Sequence, residues 1–259
     1  MGGESTTRTA PHSGGGTSSG PVGSRTGQRL SGLAVALGLV LFLGGFGWAA
    51  LIYRPYTVPT GSMTPTINAG ERVLAQVVDG DEVRRGDVVV FKDTAWADAP
   101  VVKRVVAVGG DTVSCCTNGK LTVNGKQIDE PYLPAGAPAE SKSIPEVQVP
   151  EGRLFLLGDE RQGSLDSTAH LADAAQGTVA VSAVTARVDA VVWPMDGLLK
   201  RPTGFQALGA LSEPGPLRTI VSLIVVGAVL VLGGGAYGPV AKLASRRRTG
   251  PSAGAAGVR

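Results

Sequence analysis

The run VVKRVVAV at Val101–Val108 decides the fold, because β-branched valines fill five of its eight positions. Such residues fit the pleated surface of a sheet, and a short apolar run between turn residues is typical of a buried strand. Similar runs lie on both sides of it, at 72–78 (RVLAQVV), 87–91 (DVVVF), 121–128 (LTVNGKQI), 154–157 (LFLL) and 184–193 (VTARVDAVVW). The sequence therefore predicts a mainly β domain.

The connections between these runs carry turn residues rather than a helical pattern. Asn124-Gly125 within the run at 121–128 predicts a two-residue hairpin turn. The longer loops at about 130–150 and 161–180 are rich in Pro, Ala, Ser and Asp. No stretch of the middle segment has the period of an amphipathic helix.

Two uncharged apolar stretches flank the β domain, LSGLAVALGLVLFLGGFGWAALIY at 30–53 and TIVSLIVVGAVLVLGGGAYGPVA at 219–241. About 20 apolar residues suffice for a helix to cross the hydrocarbon core of a bilayer. The first stretch is longer than the apolar part of a cleaved signal peptide, roughly 7–15 residues. Trp48 and Tyr53 near its end suit a membrane interface. We therefore predict transmembrane helices at 29–53 and 219–241.

Charge is distributed unevenly along the chain. The formal net charge is +3, yet residues 54–218 carry a net −4 and the two flanks carry +7, with Glu4 as their one acid. A nucleic-acid-binding domain would need a basic stripe, so we predict no nucleic-acid partner. Basic tails beside apolar spans are typical of the cytoplasmic face of an anionic bilayer. We therefore expect two spans in the cell membrane, with both termini cytoplasmic and the middle segment outside.

These observations predict a domain organisation around the two spans. The Gly-, Ser-, Thr- and Arg-rich residues 1–28 lack the apolar surface to fold and are predicted to be a disordered cytoplasmic tail. Between the spans we expect an extracytoplasmic β catalytic domain at 54–200 and a linker at 201–218. Residues 242–259 are predicted to be a basic cytoplasmic tail.

The histidines and the G-x-S-x-G matches offer little for a Ser-His-Asp triad. His12 lies in the predicted tail, so such a triad would depend on His170, which we interpret as a solvated loop residue. The G-x-S-x-G matches at 16–20 and 250–254 lie in the tails, without the strand and helix that a nucleophile elbow requires.

The two cysteines, Cys115 and Cys116, are adjacent and do not have the spacing of zinc ligands. We interpret them as two half-buried side chains near a turn, while a vicinal disulfide stays open as the alternative. With one histidine in the folded part, the sequence predicts neither a metal site nor a cofactor.

A serine activated by a lysine remains as the chemistry that this composition allows. A lysine is a base only when neutral, so its pKa must fall from about 10.4 by roughly 3 units, about 4 kcal/mol. Burial in an apolar site can lower the pKa in this way. Lys103, inside the valine-rich run, fits this requirement. Taken alone, the run favours the other interpretation, a lysine that points from an edge strand to solvent.

Four motifs in order provide the further evidence, at 59–66 (PTGSMTPT), 85–91 (RGDVVVF), 103–111 (KRVVAVGGD) and 158–167 (GDERQGSLDS). Together, directly behind an apolar span, they resemble the bacterial type I signal peptidases, or leader peptidases. The second span resembles the Gram-positive form of that family. The resemblance covers about residues 55–195.

The resemblance implies a signal-peptidase-like β catalytic domain flanked by two transmembrane α-helices, and a serine endopeptidase with a Ser/Lys dyad. It makes Ser62 the nucleophile and Lys103 the general base. The Thr60 hydroxyl and the Ser62 backbone N–H would form the oxyanion hole. Two donors aimed at a developing oxyanion typically contribute several kcal/mol.

The same resemblance implies supporting and substrate-binding residues. Ser164 matches a serine that orients the lysine, and Asp166 matches a supporting acid. The implied substrates are exported preproteins whose signal peptides end in small residues. They would bind as an added strand against residues that include Thr57, Met63, Val101 and Val102.

Two residues depart from the family pattern. Glu160 stands where the family often has Asn, and Thr168 stands where it often has the Arg that pairs with the acid at Asp166. The alternative is therefore a catalytically impaired homologue that acts as a membrane scaffold or receptor. A related Ser/Lys self-cleaving repressor is disfavoured, because it would need a DNA-binding domain and a cytoplasmic location.

Overall fold

The computed structural model describes residues 25–137 and 143–248. The predicted disordered tail lies outside the described residues up to residue 24, and the predicted basic tail does so from residue 249 onward. His12 and both G-x-S-x-G matches also lie outside them.

The described chain consists of twelve strands between two long helices, with short 3-10 turns in the connections. The helices are α1 (Arg25–Ile52) and α2 (Leu217–Arg248). The strands are β1 (Tyr53–Thr57), β2 (Arg72–Gln76), β3 (Val88–Phe91), β4 (Val101–Val108), β5 (Thr112–Thr117), β6 (Lys120–Val123), β7 (Lys126–Gln127), β8 (Ile144–Gln148), β9 (Arg153–Leu157), β10 (Thr178–Ala180), β11 (Val184–Trp193) and β12 (Gly197–Leu198). The predicted fold class, mainly β with two flanking apolar helices, is confirmed.

Both helices are long and apolar enough to cross a membrane, over Thr26–Ile52 and Leu217–Val240. Only 11% of each apolar window is buried, which distinguishes these helices from the core helix of a soluble protein. Helix α1 begins at Arg25, inside the predicted tail, since a formed helix extends at low cost into neighbouring polar residues.

Residues 25–44 and 223–248 form one unit, in which the two helices run antiparallel. Ser31 Oγ donates to the Gly234 carbonyl at 2.7 Å. A Cβ at Gly38 would lie 2.8 Å from the Gly227 carbonyl oxygen. Small residues therefore allow the two backbones to approach closely, as in other packed apolar helices.

Residues 45–222 form the second unit, which contains all the strands. The larger sheet has the order β1-β2-β11-β3-β4-β9-β10, and β12 pairs with β11. Strand β4 lies inside this sheet, and both of its faces are buried against core clusters. Burial on both faces explains why its sequence is a continuous valine-rich run rather than an alternating one.

The smaller sheet has the order β7-β6-β5-β8. Asn124 and Gly125 join β6 to β7 with φ angles of 52° and 72°, the positive values that a hairpin turn of this type needs. Strand β5 contains Cys115 and Cys116, which form a vicinal disulfide. The structure therefore has the alternative that the sequence left open, and not the favoured interpretation of two half-buried side chains near a turn.

The segment predicted as a linker, 201–218, packs against the β domain. Phe205 is fully buried in the core cluster that also contains Val106 and Leu157. Arg201 pairs with Asp189 on β11 at 2.7 Å. These contacts involve single residues in a Pro- and Gly-containing stretch without periodicity, which is why the sequence pattern does not reveal them.

Candidate active site

Ser62 lies in the loop between β1 and β2, directly after the strand that follows α1. A turn with Thr64 N–H bonded to the Gly61 carbonyl at 3.0 Å holds this loop. Met63 beside it is fully buried in the core. The buried methionine anchors the loop and leaves the serine side chain at the surface of the domain, within a cleft.

Lys103 on β4 brings an amine to this serine. Its Nζ donates to Ser62 Oγ at 2.8 Å, although the two residues are 41 positions apart in sequence. Only 3% of Lys103 is exposed. Burial lowers the pKa of Lys103 from 10.5 to about 8, while the charges of Asp166 and Asp159 act in the opposite direction. The lysine is thus positioned and tuned to accept a proton near neutral pH.

Thr60 and the Ser62 backbone N–H are the two groups predicted to form an oxyanion hole. The Thr60 hydroxyl donates to Ser62 Oγ at 3.3 Å. In the described ranges, the Ser62 N–H has no backbone acceptor. The Ser62 N–H is therefore available to a substrate oxygen, whereas the Thr60 hydroxyl must turn away from Ser62 Oγ to donate to one.

Ser164 lies beside the dyad, against Gly158 and the Ser62 backbone. A Cβ at Gly158 would be 2.2 Å from Ser164 Oγ and 2.5 Å from the Ser62 carbonyl oxygen, so only glycine fits there. Ser164 Oγ is buried and has no hydrogen-bond partner among the described residues. The structure thus brings Ser164 to the site without a bond to the lysine amine.

Asp166 is 1% exposed and accepts three hydrogen bonds. Its donors are Gly158 N–H at 2.9 Å, Thr168 N–H at 3.1 Å and the Thr168 hydroxyl at 2.8 Å. Thr168, which departs from the family pattern, therefore supplies two of the donors that hold the acid. Asp166 acts on Lys103 through its charge, which raises the pKa of the amine.

Glu160, the other departure, belongs to the turn that supports the nucleophile loop. Its backbone N–H donates to the Ser62 carbonyl at 3.1 Å, and its carbonyl accepts from Ser164 N–H at 3.1 Å. Its carboxylate accepts from the Gly163 N–H. The turn therefore connects Ser62 to Ser164, and its backbone bonds do not depend on the side chain at position 160.

A buried ion pair between Arg104 and Asp159 was not assigned a role from the sequence, although both residues lie in the quoted motifs. Arg104 Nε and Nη2 donate to the two carboxylate oxygens at 2.8 and 2.6 Å. Thr66, from the nucleophile loop, donates to the same carboxylate. Asp159 therefore ties β4 to the serine loop. An arginine inside a valine-rich run was the available indication, because a buried charge needs a partner.

The cleft beside the dyad has two unpaired strand edges. Strand β1 ends the larger sheet, and beyond it Thr57–Thr60 continues along the cleft. On β4, the pairing with β9 begins only at Arg104, so Val101 to Lys103 have one free edge. Thr57, Val101 and Val102 line the cleft, whereas Met63 lies below it in the core.

His170 has a different environment from the solvated one predicted. It lines the cleft, stacks on Trp96 and pairs through Nδ1 with Asp173 at 2.8 Å. No hydrogen bond joins it to Ser62 or Lys103 in the described part of the chain. Within the same ranges, no group of three or more His, Cys, Asp or Glu could hold a metal ion.

Comparison with known proteins places this sequence among signal peptidases. The family described as "Signal peptidase, peptidase S26" matches residues 30–193, which contain all the residues of the dyad and its support. The match also includes α1 from residue 30 onward and ends at the last residue of β11.

Individual relatives have related sequences. The chain is 31% identical over 217 residues to a probable signal peptidase I of Mycobacterium leprae, covering 62% of this chain and 73% of that protein. It is 35% identical over 145 residues to signal peptidase I S of Bacillus subtilis, covering 52% and 74%. A crystal structure of a signal peptidase I from Enterococcus faecalis shares 24% identity, covering 45% of this chain and 96% of that one, at a TM-score of 0.33, too low to bear on the fold.

Proposed function

The chain belongs to the signal peptidase family, peptidase S26, and is a serine endopeptidase of the signal peptidase I type; on this premise we propose that it cleaves exported preproteins with a Ser62/Lys103 dyad through an acyl-enzyme. The single observation that carries the proposal is the 2.8 Å contact between a buried amine and a serine hydroxyl. A free serine is a poor nucleophile and needs such a base.

In the first half of the reaction, neutral Lys103 takes the proton of Ser62 as its Oγ attacks the scissile carbonyl. The oxyanion accepts hydrogen bonds from the Thr60 hydroxyl and the Ser62 N–H. Collapse of this intermediate breaks the peptide bond, and the leaving amine takes the proton from Lys103. The amino-terminal part of the substrate stays as an ester on Ser62.

In the second half, Lys103 takes a proton from a water that attacks the ester. The same two donors hold the second oxyanion, and Ser62 leaves with the proton returned by Lys103. Asp166 stabilises the protonated amine through its charge in both halves, and Ser164 lies beside the dyad with a hydroxyl that is free to turn toward the amine. A pKa of about 8 leaves roughly a tenth of Lys103 neutral at pH 7, so the base is available without large cost.

The substrate binds in an extended form between the two free edges, at Thr57–Thr60 and at Val101 to Lys103. Main-chain hydrogen bonds to these edges make binding independent of most side chains, and apolar pockets select the residues beside the scissile bond. Thr57, Val101 and Val102 contact the substrate. Met63 shapes the pocket floor from below.

The two apolar helices fit membrane anchoring, and we extend this to a topology with both termini in the cytoplasm and the β domain outside. The net charge of +7 on the flanks against −4 on residues 54–218 supports this orientation. Anchoring holds the dyad near the membrane-embedded signal peptide, which raises the effective substrate concentration.

Protease added outside intact cells should degrade the β domain and spare tags at both termini. Digestion of either tag would contradict the topology.

The deciding experiment compares wild type with Ser62→Ala in lipid, on a secreted preprotein and on a serine-acylating inhibitor. We expect wild type to release the mature protein and to form an adduct on Ser62, and the variant to do neither. Binding of the preprotein without cleavage or adduct in wild type would favour the scaffold alternative.

A further inference from the structure

Trp96 and His170 come from two different loops, stack on each other and form an aromatic wall of the cleft. Trp96 lies between β3 and β4, and His170 ends the 3-10 turn Ser167–His170. Their rings stack with centroids 4.5 Å apart and planes 13° apart. Phe91 meets the Trp96 ring edge-on at 5.2 Å, and Asp173 bonds the far side of the imidazole. Both rings are thus fixed before any substrate binds.

This wall lies in the cleft that contains Ser62 and Lys103. Val101 and Lys103 project from the same face of β4, because alternate residues of a strand share a face. Val101 is in register with Phe91, which contacts Trp96. Two residues along a strand span about 7 Å, so the wall meets a substrate residue at least two positions from the bond.

The chemistry of the wall favours an apolar side chain. Leu165 lines the same cleft, and 75% of it is exposed. An aromatic stack and an exposed leucine in one cleft leave apolar surface that a substrate can cover. The imidazole bonds Asp173 through Nδ1 and makes no hydrogen bond to Ser62 or Lys103 among the described residues, so we assign it to the wall and not to proton transfer.

We propose that Trp96 and His170 form a specificity subsite for a large apolar side chain of the preprotein, separate from the small-residue pocket beside Ser62. The subsite rests on the proposed function, since it acts on the same extended substrate. It determines which residue is preferred at one distal position and leaves the chemistry of the dyad unchanged.

The test uses the full chain in detergent micelles and a series of fluorogenic peptides. Every peptide has small residues beside the scissile bond, and Leu or Ala alternates at each position two to five residues away. For wild type we expect kcat/KM to favour Leu about tenfold at one of these positions. In Trp96→Ala that ratio should fall toward one.

Matched variants separate a subsite from a structural role. Trp193→Ala removes an exposed tryptophan outside the cleft and should keep the wild-type ratio. Trp96→Phe and His170→Phe keep a ring and should keep most of the preference, whereas His170→Ala should weaken it. The rate of Ser62 acylation by the inhibitor reports on the integrity of each variant.

Normal acylation with an unchanged Leu/Ala ratio in Trp96→Ala would overturn the subsite, as would an equal loss of preference in Trp193→Ala. Should Trp96→Ala fail to be acylated, the ratio in His170→Ala decides the question in the same way. Failure of wild type to cleave any peptide and to acylate Ser62 would contradict the proposed function instead.

Discussion

Two neighbouring cations of β4 have opposite electrostatic environments. Lys103 is 3% exposed and Arg104 is 2% exposed, yet one contacts a hydroxyl and the other a carboxylate. Burial lowers the pKa of both. At Lys103 this effect dominates and gives about 8, whereas at Arg104 the ion pair with Asp159 outweighs burial and raises the pKa. Strand β4 therefore provides a general base at position 103. At position 104 it provides the ion pair with Asp159, called the clamp below, which ties β4 to the serine loop.

The comparison shows that the role of a buried cation is determined by its partner and not by its degree of burial. An unpaired buried ammonium readily loses its proton, while a guanidinium in a bidentate pair keeps its charge and its geometry. The following predictions test this difference, from the largest expected effect to the smallest.

Exchanging the two cation types should have unequal consequences for activity. Lys103→Arg keeps the charge but removes the neutral base, so we expect kcat/KM for a peptide substrate to fall by roughly 10³-fold. Arg104→Lys keeps a charge opposite Asp159 and should cost less than tenfold. The measurement is steady-state cleavage by purified variants. Wild-type activity in Lys103→Arg would break the comparison.

Removing one member of the clamp should destabilise the domain. Arg104→Met leaves Asp159 as a buried carboxylate without its cation, which costs about 3–5 kcal/mol of unfolding free energy. The double variant Arg104→Met with Asp159→Leu should recover much of this loss. Urea unfolding of the β domain measures both. Equal stability of wild type and Arg104→Met would show that the pair is not a clamp.

Removing the base should instead stabilise the domain at neutral pH. The pKa of Lys103 is about 8 in the folded state against an ordinary 10.5, so the folded state binds protons less readily. Lys103→Met should therefore be more stable than wild type by about 3 kcal/mol at most. The difference is full below pH 8 and disappears as the pH rises to about 10.5. A difference that is independent of pH from 7 to 11 would contradict the low pKa.

The smallest effect is expected for the hydrogen bonds that hold Asp166 in place. Thr168→Val removes the hydroxyl donor and keeps the backbone donor, so the unfolding free energy should fall by about 1 kcal/mol. Thr168→Ser keeps the hydroxyl and serves as the matched control. If both variants unfold like wild type, the hydroxyl does not hold the acid.

Much of the fold could be predicted because its core strands are continuous apolar runs. The strands at 101–108 and 184–193 have the bounds expected, and the turn at Asn124-Gly125 joins two strands as predicted. Strand β8 was missed within a Pro-rich loop, since its exposed residues have little β character. Phe205 was missed because a single buried aromatic has no period in the sequence.

The candidate site was predicted where motifs carry it and missed where contacts alone define it. Ser62 and Lys103 are 41 residues apart and were paired by the resemblance, not by any local pattern. The support of Asp166 by Thr168 and the stack of Trp96 on His170 depend on loop conformations. Such conformations follow from packing across the whole domain rather than from neighbours in sequence.

The most direct test of the central claim is the titration of the Lys103 amine. NMR of the full chain with ¹³Cε-labelled lysine in detergent, assigned with Lys103→Arg, would follow this side chain from pH 6 to 11. The account predicts a midpoint near pH 8. A midpoint at or above about 10, the range of a solvated lysine, would contradict it.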